Sequence, residues 1–316
     1  MYRCFFNLDL EEKERWVNIL NKFENMKLEI REFVQSLFIN VNYDKYINVV
    51  DKMLLENKIR YSDEIKYIAK FFNLTFIEIL LLQLFYEAHA ACSVGMLNIK
   101  GKMFYFRTLD WNLEFLKKIT IELDIIKNGV IVGTAVTWIG YIGFPTCNVN
   151  DMYNIALNYR FTKPMNNETL KDNINKTVNL YWPITYLIRN VLEQQMLFSE
   201  AVDTFCNSKL ISPCYISMFS KYSKSVIITR DFDSLVNIRD YNLVQTNCDF
   251  DKNEPNVTKS VERRELIYKV EKDCNMYNII KYEDILNMLL QPPVLTNRTI
   301  YFISEYKGKK KSHVLN

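Results

Sequence analysis

Cys92, Arg107 and Asp110 are the residues of this 316-residue chain whose types and spacing offer chemistry. Cys92 follows the small-residue tract Ala88-His89-Ala90-Ala91. A segment that reads as a strand, Lys102 to Leu109 (KMFYFRTL), then carries Arg107 toward Asp110. A thiol acts as a nucleophile only with a base within hydrogen-bonding reach. The chain has 2 histidines, His89 and His313, and His313 lies in the basic C-terminal tail. With His89 as base, the protein would be a Cys-His hydrolase of the intact chain. The alternative is a nucleophile that carries its own base. If the Ala91–Cys92 bond is cut, the thiol sits beside a free α-amine, whose ordinary pKa of ~7.7–8.0 lets it accept a proton at moderate pH. Taken singly, Cys92 reads as a buried small hydrophobe and Arg107 with Asp110 as an exposed ion pair.

Composition narrows the alternatives. Lys plus Arg is 40 against 37 for Asp plus Glu, too even a balance to imply a nucleic-acid or anionic-membrane partner. There are 7 glycines and no GxGxxG or GxxxxGK[ST] loop, so the usual phosphate cradles are missing. The 7 cysteines include no CxxC pair, and with so few histidines no metal site and no cofactor is expected. The tail Gly308 to His313 (GKKKSH) reads as a solvated, frayed terminus. No apolar leader precedes the charged N-terminus, which for a complete chain reads as cytoplasmic. Sequons at Asn73, Asn167, Asn175, Asn256 and Asn297 weakly favour a secretory route.

The elements that must position these residues fall into two regions. Asn7 to Phe38, Tyr43 to Leu55, Ser62 to Phe72 and a fourth stretch opening at Thr75 have helical apolar spacing, with Ser62 and Thr75 as caps. Residues 1–91 therefore read as an all-helical segment that delivers the chain to Cys92. After it, Thr120 to Ile126 and Val130 to Trp138 flank Asn128-Gly129, the strongest short hairpin signal. Tyr153 to Phe161 is a further strand and Met165 to Lys176 a polar loop. Pro183 to Phe205 is one long helical stretch. Strands follow at Cys214 to Phe219, Ser225 to Arg230, Leu235 to Asp240 and Tyr241 to Thr246, then a polar loop, Asn247 to Ser260. Helices at Arg263 to Glu271 and Tyr282 to Gln291 precede a closing strand, Thr299 to Tyr306. Blocks of strands separated by helices predict an α+β architecture, two antiparallel sheets with helices outside, with 92–316 as one domain.

Eight blocks in one order resemble a family. FFNLDLEEKERW is similar to its NLDLPP-type opening, FYEAHAACSVG to its cleavage site, and YFRTLDW to its GRNLDY-type segment. KNGVIVGTAVTWIGYIG, LNYR, WPITYLIRNVL, QTNCDF and VERR match further blocks. The family is that of acid ceramidase and N-acylethanolamine acid amidase, N-terminal-nucleophile cysteine amidases with an αββα sandwich.

The resemblance implies that Cys92 is the nucleophile, released by self-cleavage after Ala91 into chains 1–91 and 92–316 that stay together as an α/β heterodimer. It places Arg107 by the thiol and the substrate carbonyl, and Asp110 on the new α-amine. It makes Asn247 an oxyanion-hole donor, Asn158 a second polar residue beside that hole, and Arg263 a structural or activating arginine. The implied substrate is a fatty-acyl amide, an N-acylethanolamine or a ceramide, handled in a lysosome. Peripheral membrane contact through apolar helix faces such as Phe76 to Phe85 accompanies it, with core packing as the commoner fate of such residues. The sequence departs from the family pattern in several places, among them the absence of the Gly-Gly expected near Phe219 to Ser223. Val94 replaces a hydroxyl residue, Tyr159 stands where an activating glutamate is usual, and Cys248-Asp249-Phe250 lacks the usual histidine. Those departures leave an unprocessed, non-catalytic lipid-binding or scaffold protein as the alternative.

Overall fold

Two hairpins set the frame of the computed structural model, which describes residues 1–39, 44–85, 91–162, 172–173, 175–177, 179–221, 225–252 and 256–315. The first joins β2 (Ala91–Ile99) to β3 (Lys102–Asp110) through Lys100 and Gly101. The second joins β4 (Thr120–Lys127) to β5 (Val130–Trp138) through Asn128 and Gly129. All four turn residues have φ between 50° and 74°, as a tight two-residue hairpin turn requires.

Around these hairpins two sheets form. One has eight strands in the order β1-β4-β5-β6-β7-β8-β9-β10. It adds β1 (Tyr2–Asn7), β6 (Thr146–Val149), β7 (Tyr153–Tyr159), β8 (Cys214–Ser220), β9 (Val226–Arg230) and β10 (Leu235–Arg239). The other has five strands in the order β11-β2-β3-β12-β13, adding β11 (Val244–Gln245), β12 (Thr299–Tyr306) and β13 (Lys309–Val314). Every pairing is antiparallel except β1 with β4. The sheets stack face to face. Cys92, Val94, Tyr105 and Leu109 share one core with Ile155, Leu157 and Ile216 of the larger sheet. The other face of the five-stranded sheet, with Leu97, Phe104 and Phe106, is covered by α9 (Ser260–Tyr277) and α10 (Tyr282–Leu289) through Ile267, Val270 and Ile285. The outer face of the larger sheet takes α7 (Ile184–Glu193) and α8 (Phe198–Asn207). This is the expected αββα arrangement.

Several elements differ from expectation, for physical reasons. Residues 1–91 are not all helical, because Tyr2–Asn7 joins the larger sheet beside β4. The helices of this segment are α1 (Val17–Asn21), α2 (Lys27–Leu37), α3 (Asp44–Leu55), α4 (Ser62–Phe72) and α5 (Phe76–Phe85). Ser62 is not a cap; left-handed Tyr61 precedes it with no side-chain bond. Thr75 does cap α5, in a reciprocal box with Glu78: Thr75 N–H donates to Oε2 at 2.7 Å and Glu78 N–H to Thr75 Oγ1 at 3.3 Å. Ile77, Ile79, Leu80, Leu81 and Leu84 of α5 lie in the core. That burial, roughly 1.5–3 kcal/mol per side chain, removes them from membrane contact.

The long helix after Pro183 breaks into α7 and α8 where Gln195 turns left-handed (φ 51°). The segment from Tyr241 to Thr246 does not extend the larger sheet; its Val244–Gln245 pairs with β2. The basic tail is not frayed. Lys309–Val314 pairs along β12, while Lys310 and Ser312 bond Glu122 at 3.1 and 2.8 Å across the sheets. Its lysines serve the edge-strand role of discouraging further pairing. Among the described residues no helix is long and apolar enough to cross a membrane. His89, Glu87, Asn167 and most of the polar loop from Met165 lie outside the described residues.

Candidate active site

Strand alternation places the site. Cys92 lies opposite Leu109 in the β2–β3 ladder, and Ala91 lies opposite Asp110. Side chains at i and i+2 share a face, so Cys92 and Arg107 face the space between the sheets, whereas Ser93 and Asp110 face α9. Arg107 and Asp110, three residues apart, therefore flank the nucleophile candidate from opposite sides of one sheet.

On the inter-sheet side Arg107 is fully buried, and its donors are fixed. Nη2 donates to the Leu157 carbonyl at 2.7 Å, Nη1 to Asn158 Oδ1 at 3.2 Å and Nε to Thr146 Oγ1 at 3.3 Å. The Thr146 hydroxyl in turn meets the Tyr301 hydroxyl at 2.8 Å. Burial pushes the Tyr301 phenol up to about 12, against the pull of Arg107 and Thr146, so it stays neutral. Asn158, also fully buried, spends Nδ2 on the carbonyls of Cys92, Gln245 and Thr246 at 3.1–3.2 Å.

On the helix side Arg263 reaches from the first turn of α9. Nη1 donates to the Cys92 carbonyl at 2.7 Å and Ser93 Oγ at 3.0 Å, and Nη2 to Asn247 Oδ1 at 2.9 Å. The same Asn247 oxygen accepts the Cys92 N–H at 2.8 Å, and Asn247 Nδ2 donates to the Tyr159 carbonyl at 2.8 Å. Asp110 completes the group, with Oδ2 3.8 Å from Arg263 Nη1 and Oδ1 accepting from Thr299 Oγ1 at 2.7 Å. Burial raises the Asp110 carboxyl even though Arg263, Thr299 and Arg107 oppose it. Burial also lowers Arg263 despite Asp110. Burial thus weakens the charged form of both partners, and a further cation near Asp110 would favour its carboxylate.

All six residues singled out in the sequence, Cys92, Arg107, Asp110, Asn158, Asn247 and Arg263, belong to this one connected network. Thr146, Ser93, Thr299 and Tyr301 belong to it as well and carry no sequence signal. Thr299 and Tyr301 sit two apart yet serve opposite faces, because a bulge at Ile300 sets Thr299 against Asp110 and Tyr301 against Leu109. Tyr159 is buried and its ring meets Phe161 edge-on at 4.9 Å.

The loop that carries Asn247 is clamped just beyond it. Arg160, next to Tyr159, grips Asp249 with two bonds of 2.7 and 2.9 Å, and Tyr215 adds a third at 2.8 Å. The Arg160 hydrogen bonds, reinforced by Tyr215 and Lys252, hold the Asp249 carboxyl well below the usual carboxylate range against the opposing effect of burial. A carboxyl lowered in this way stabilises the fold above its unfolded pKa of ~3.9, and that stability is lost as pH falls toward the folded value. Asp249→Asn should therefore lower the melting temperature more at pH 7 than at pH 3. A gap that does not narrow in acid would contradict the clamp.

Beside Ala91, Asp110 and Arg263 opens a cleft of about 660 Å³. Its Trp111 and Leu113 also line a narrow apolar crevice of about 20 Å³ between α2, α5 and α6 (Phe115–Ile119). Cys92 itself is fully buried, one residue inside the cleft wall.

No protein-family model matches the chain. It is 36% identical, over 98% of both chains, to an uncharacterized protein of Acanthamoeba polyphaga mimivirus. It is 24% identical to acid ceramidase of Mus musculus, over 98% of this chain and 84% of that protein. Among solved structures, the Caenorhabditis elegans ortholog of N-acylethanolamine-hydrolyzing acid amidase superposes on 71% of this chain and all of its own, with a TM-score of 0.59 and 27% identity.

Proposed function

The chain belongs to the acid ceramidase and N-acylethanolamine acid amidase family of N-terminal-nucleophile hydrolases, and from that premise we propose that it hydrolyses the amide bond of fatty-acyl amides with Cys92. The observation that carries the reading is the double hold on Cys92: its N–H on Asn247, its carbonyl on Arg263 and Asn158. A scaffold protein has no need of two buried arginines and two buried carboxamides converging on one cysteine. The apolar crevice behind Trp111 supports a lipid acyl group; its side chains must part to admit a chain.

Processing comes first in this account. The thiol adds to the Ala91 carbonyl, the Cys92 nitrogen leaves with the thiol proton as the α-amine, and water resolves the thioester. With Ala91 released, the cleft reaches Cys92, and residues 1–91 and 92–316 stay joined through the β1–β4 pairing. The new α-ammonium forms where Ala91, the ladder partner of Asp110, is cut away, and it adds a second cation beside a buried carboxylate that already faces Arg263.

Turnover uses the same groups. The α-amine takes the thiol proton, sulfur attacks the acyl carbon, and the C–N bond breaks as the amine leaves with that proton. Water then gives a proton to the α-amine, attacks the thioester and releases the fatty acid, and the thiol regains its proton. The role of oxyanion donor falls to the Asn247 side-chain amide, which the Tyr159 carbonyl orients through Nδ2. Asn247→Ala should lower kcat by about 10²–10³-fold, the usual loss for such a donor, with a smaller change in KM. Head-group choice between N-acylethanolamine and ceramide is tested by fatty-acid release from N-palmitoylethanolamine and C16-ceramide. Release from neither, and from no other N-palmitoyl amide offered beside them, by protein cleaved after Ala91, would sink the proposal.

A further inference from the structure

The cleft beside Ala91 is more cationic than a neutral lipid amide requires. Its wall holds Lys259, Arg263 and Arg298 against one carboxylate, Asp110. Arg263 and Asp110 are committed to each other, and Arg263 also to Cys92. That leaves Lys259 and Arg298, both exposed and in no salt bridge among the described residues, although Lys259 also draws on the exposed Glu262 outside the cleft wall. Both are built into the wall. The Trp111 N–H donates to the Arg298 carbonyl at 2.8 Å, and the Arg298 N–H donates to Thr296 Oγ1 at 3.2 Å. Lys259 follows Thr258, and both have positive φ (54° and 56°), a conformation that a β-branched threonine seldom adopts. Two bonds from Arg263, to the Thr258 carbonyl and hydroxyl at 3.0 and 2.8 Å, hold that turn in place.

The direction of the chemistry assigns this cleft to one side of the substrate. The α-amine of Cys92 must hand a proton to the departing amine, so that amine lies at the Ala91 and Asp110 end of the nucleophile, where the cleft opens. We infer that Lys259 and Arg298 select amides whose amine portion carries an anion, of which an N-acyl amino acid is the simplest. The inference rests on the amidase reading above and specifies its substrate.

The test compares N-palmitoylglycine with N-palmitoylethanolamine, presented in nonionic micelles to wild-type protein cleaved after Ala91 and to Lys259→Ala, Arg298→Ala and the double variant. The two amides share the acyl chain and differ at the head group by a carboxylate against a hydroxymethyl. The ratio of kcat/KM, glycine amide over ethanolamide, should fall about fivefold in each single variant and more than tenfold in the double. Added salt should lower the wild-type ratio in the same direction. Lys259→Glu should depress it further than Lys259→Ala, a result that lost folding would not produce. Hydrolysis of the ethanolamide with an unchanged ratio would overturn the inference and leave the amidase reading standing. A loss shared equally by both amides and seen only on anionic vesicles would also overturn it, since the two cations would then be docking a membrane surface. Hydrolysis of neither amide would overturn the amidase reading and this inference together.

Discussion

Cys92→Ala should abolish two activities at once. The chain should stay intact across residues 91 and 92, and fatty-amide hydrolysis should fall by about 10⁴-fold or more, the scale seen when a covalent nucleophile is removed. The fold should tolerate the change. Cys92 is a small, fully buried side chain on a strand held by backbone pairing on both edges, so Ala costs little beyond one sulfur atom. Unchanged melting with both activities gone is the expected combination. Residual hydrolysis within tenfold of wild type would move the chemistry elsewhere and restore the reading of Cys92 as a core residue.

The second large effect belongs to an ion pair between α4 and α7. Glu64 of α4 and Arg189 of α7 are both fully buried. They form two bonds of 2.7 and 2.5 Å, Trp16 Nε1 donates to the same carboxylate at 2.8 Å, and Arg189 also bonds Glu193 at 2.7 Å. The guanidinium lies 4.0 Å over the Tyr61 ring. Removing one member of such a buried pair costs about 3–5 kcal/mol, even though Arg15 still reaches Glu64 at 3.3 Å, whereas replacing both with apolar residues can be close to neutral. Arg189→Met should therefore lower stability by about 3–5 kcal/mol in urea titrations, and Glu64→Met with Arg189→Met should recover much of it. Glu64 belongs to residues 1–91 and Arg189 to 92–316. In cleaved protein the single variant should also shed the smaller chain on gel filtration. A loss below about 1 kcal/mol with the two chains still together would contradict this role.

The sequence disclosed some of these features more readily than others. Amphipathic helices and the Asn128-Gly129 hairpin follow from spacing and turn chemistry that act locally. Strands β1 and β13 did not stand out. Tyr2–Asn7 gains its partner from β4, more than a hundred residues on, and Lys309–Val314 carries the charges that suit an edge. The break at Gln195 has no Gly or Pro to announce it.

At the site, residue types alone left Cys92 ambiguous, and only its resemblance to a family grouped it with Arg107, Asp110, Asn158, Asn247 and Arg263. Tyr301 and Thr299 escaped even that, because a bulge decides which way each one points. Tyr159, a departure from the family at the level of type, contributes through its backbone carbonyl, which any residue could supply.

The central claim is that Cys92 becomes a chain terminus and then carries an acyl group. Intact-mass analysis of the purified protein, held at neutral and acidic pH and then exposed briefly to a fatty-acyl amide, tests it most directly. The account predicts one fragment ending at Ala91 and one beginning at Cys92, the second gaining a hydroxylamine-labile acyl mass. A chain that stays whole at every pH and takes up no acyl group would contradict it.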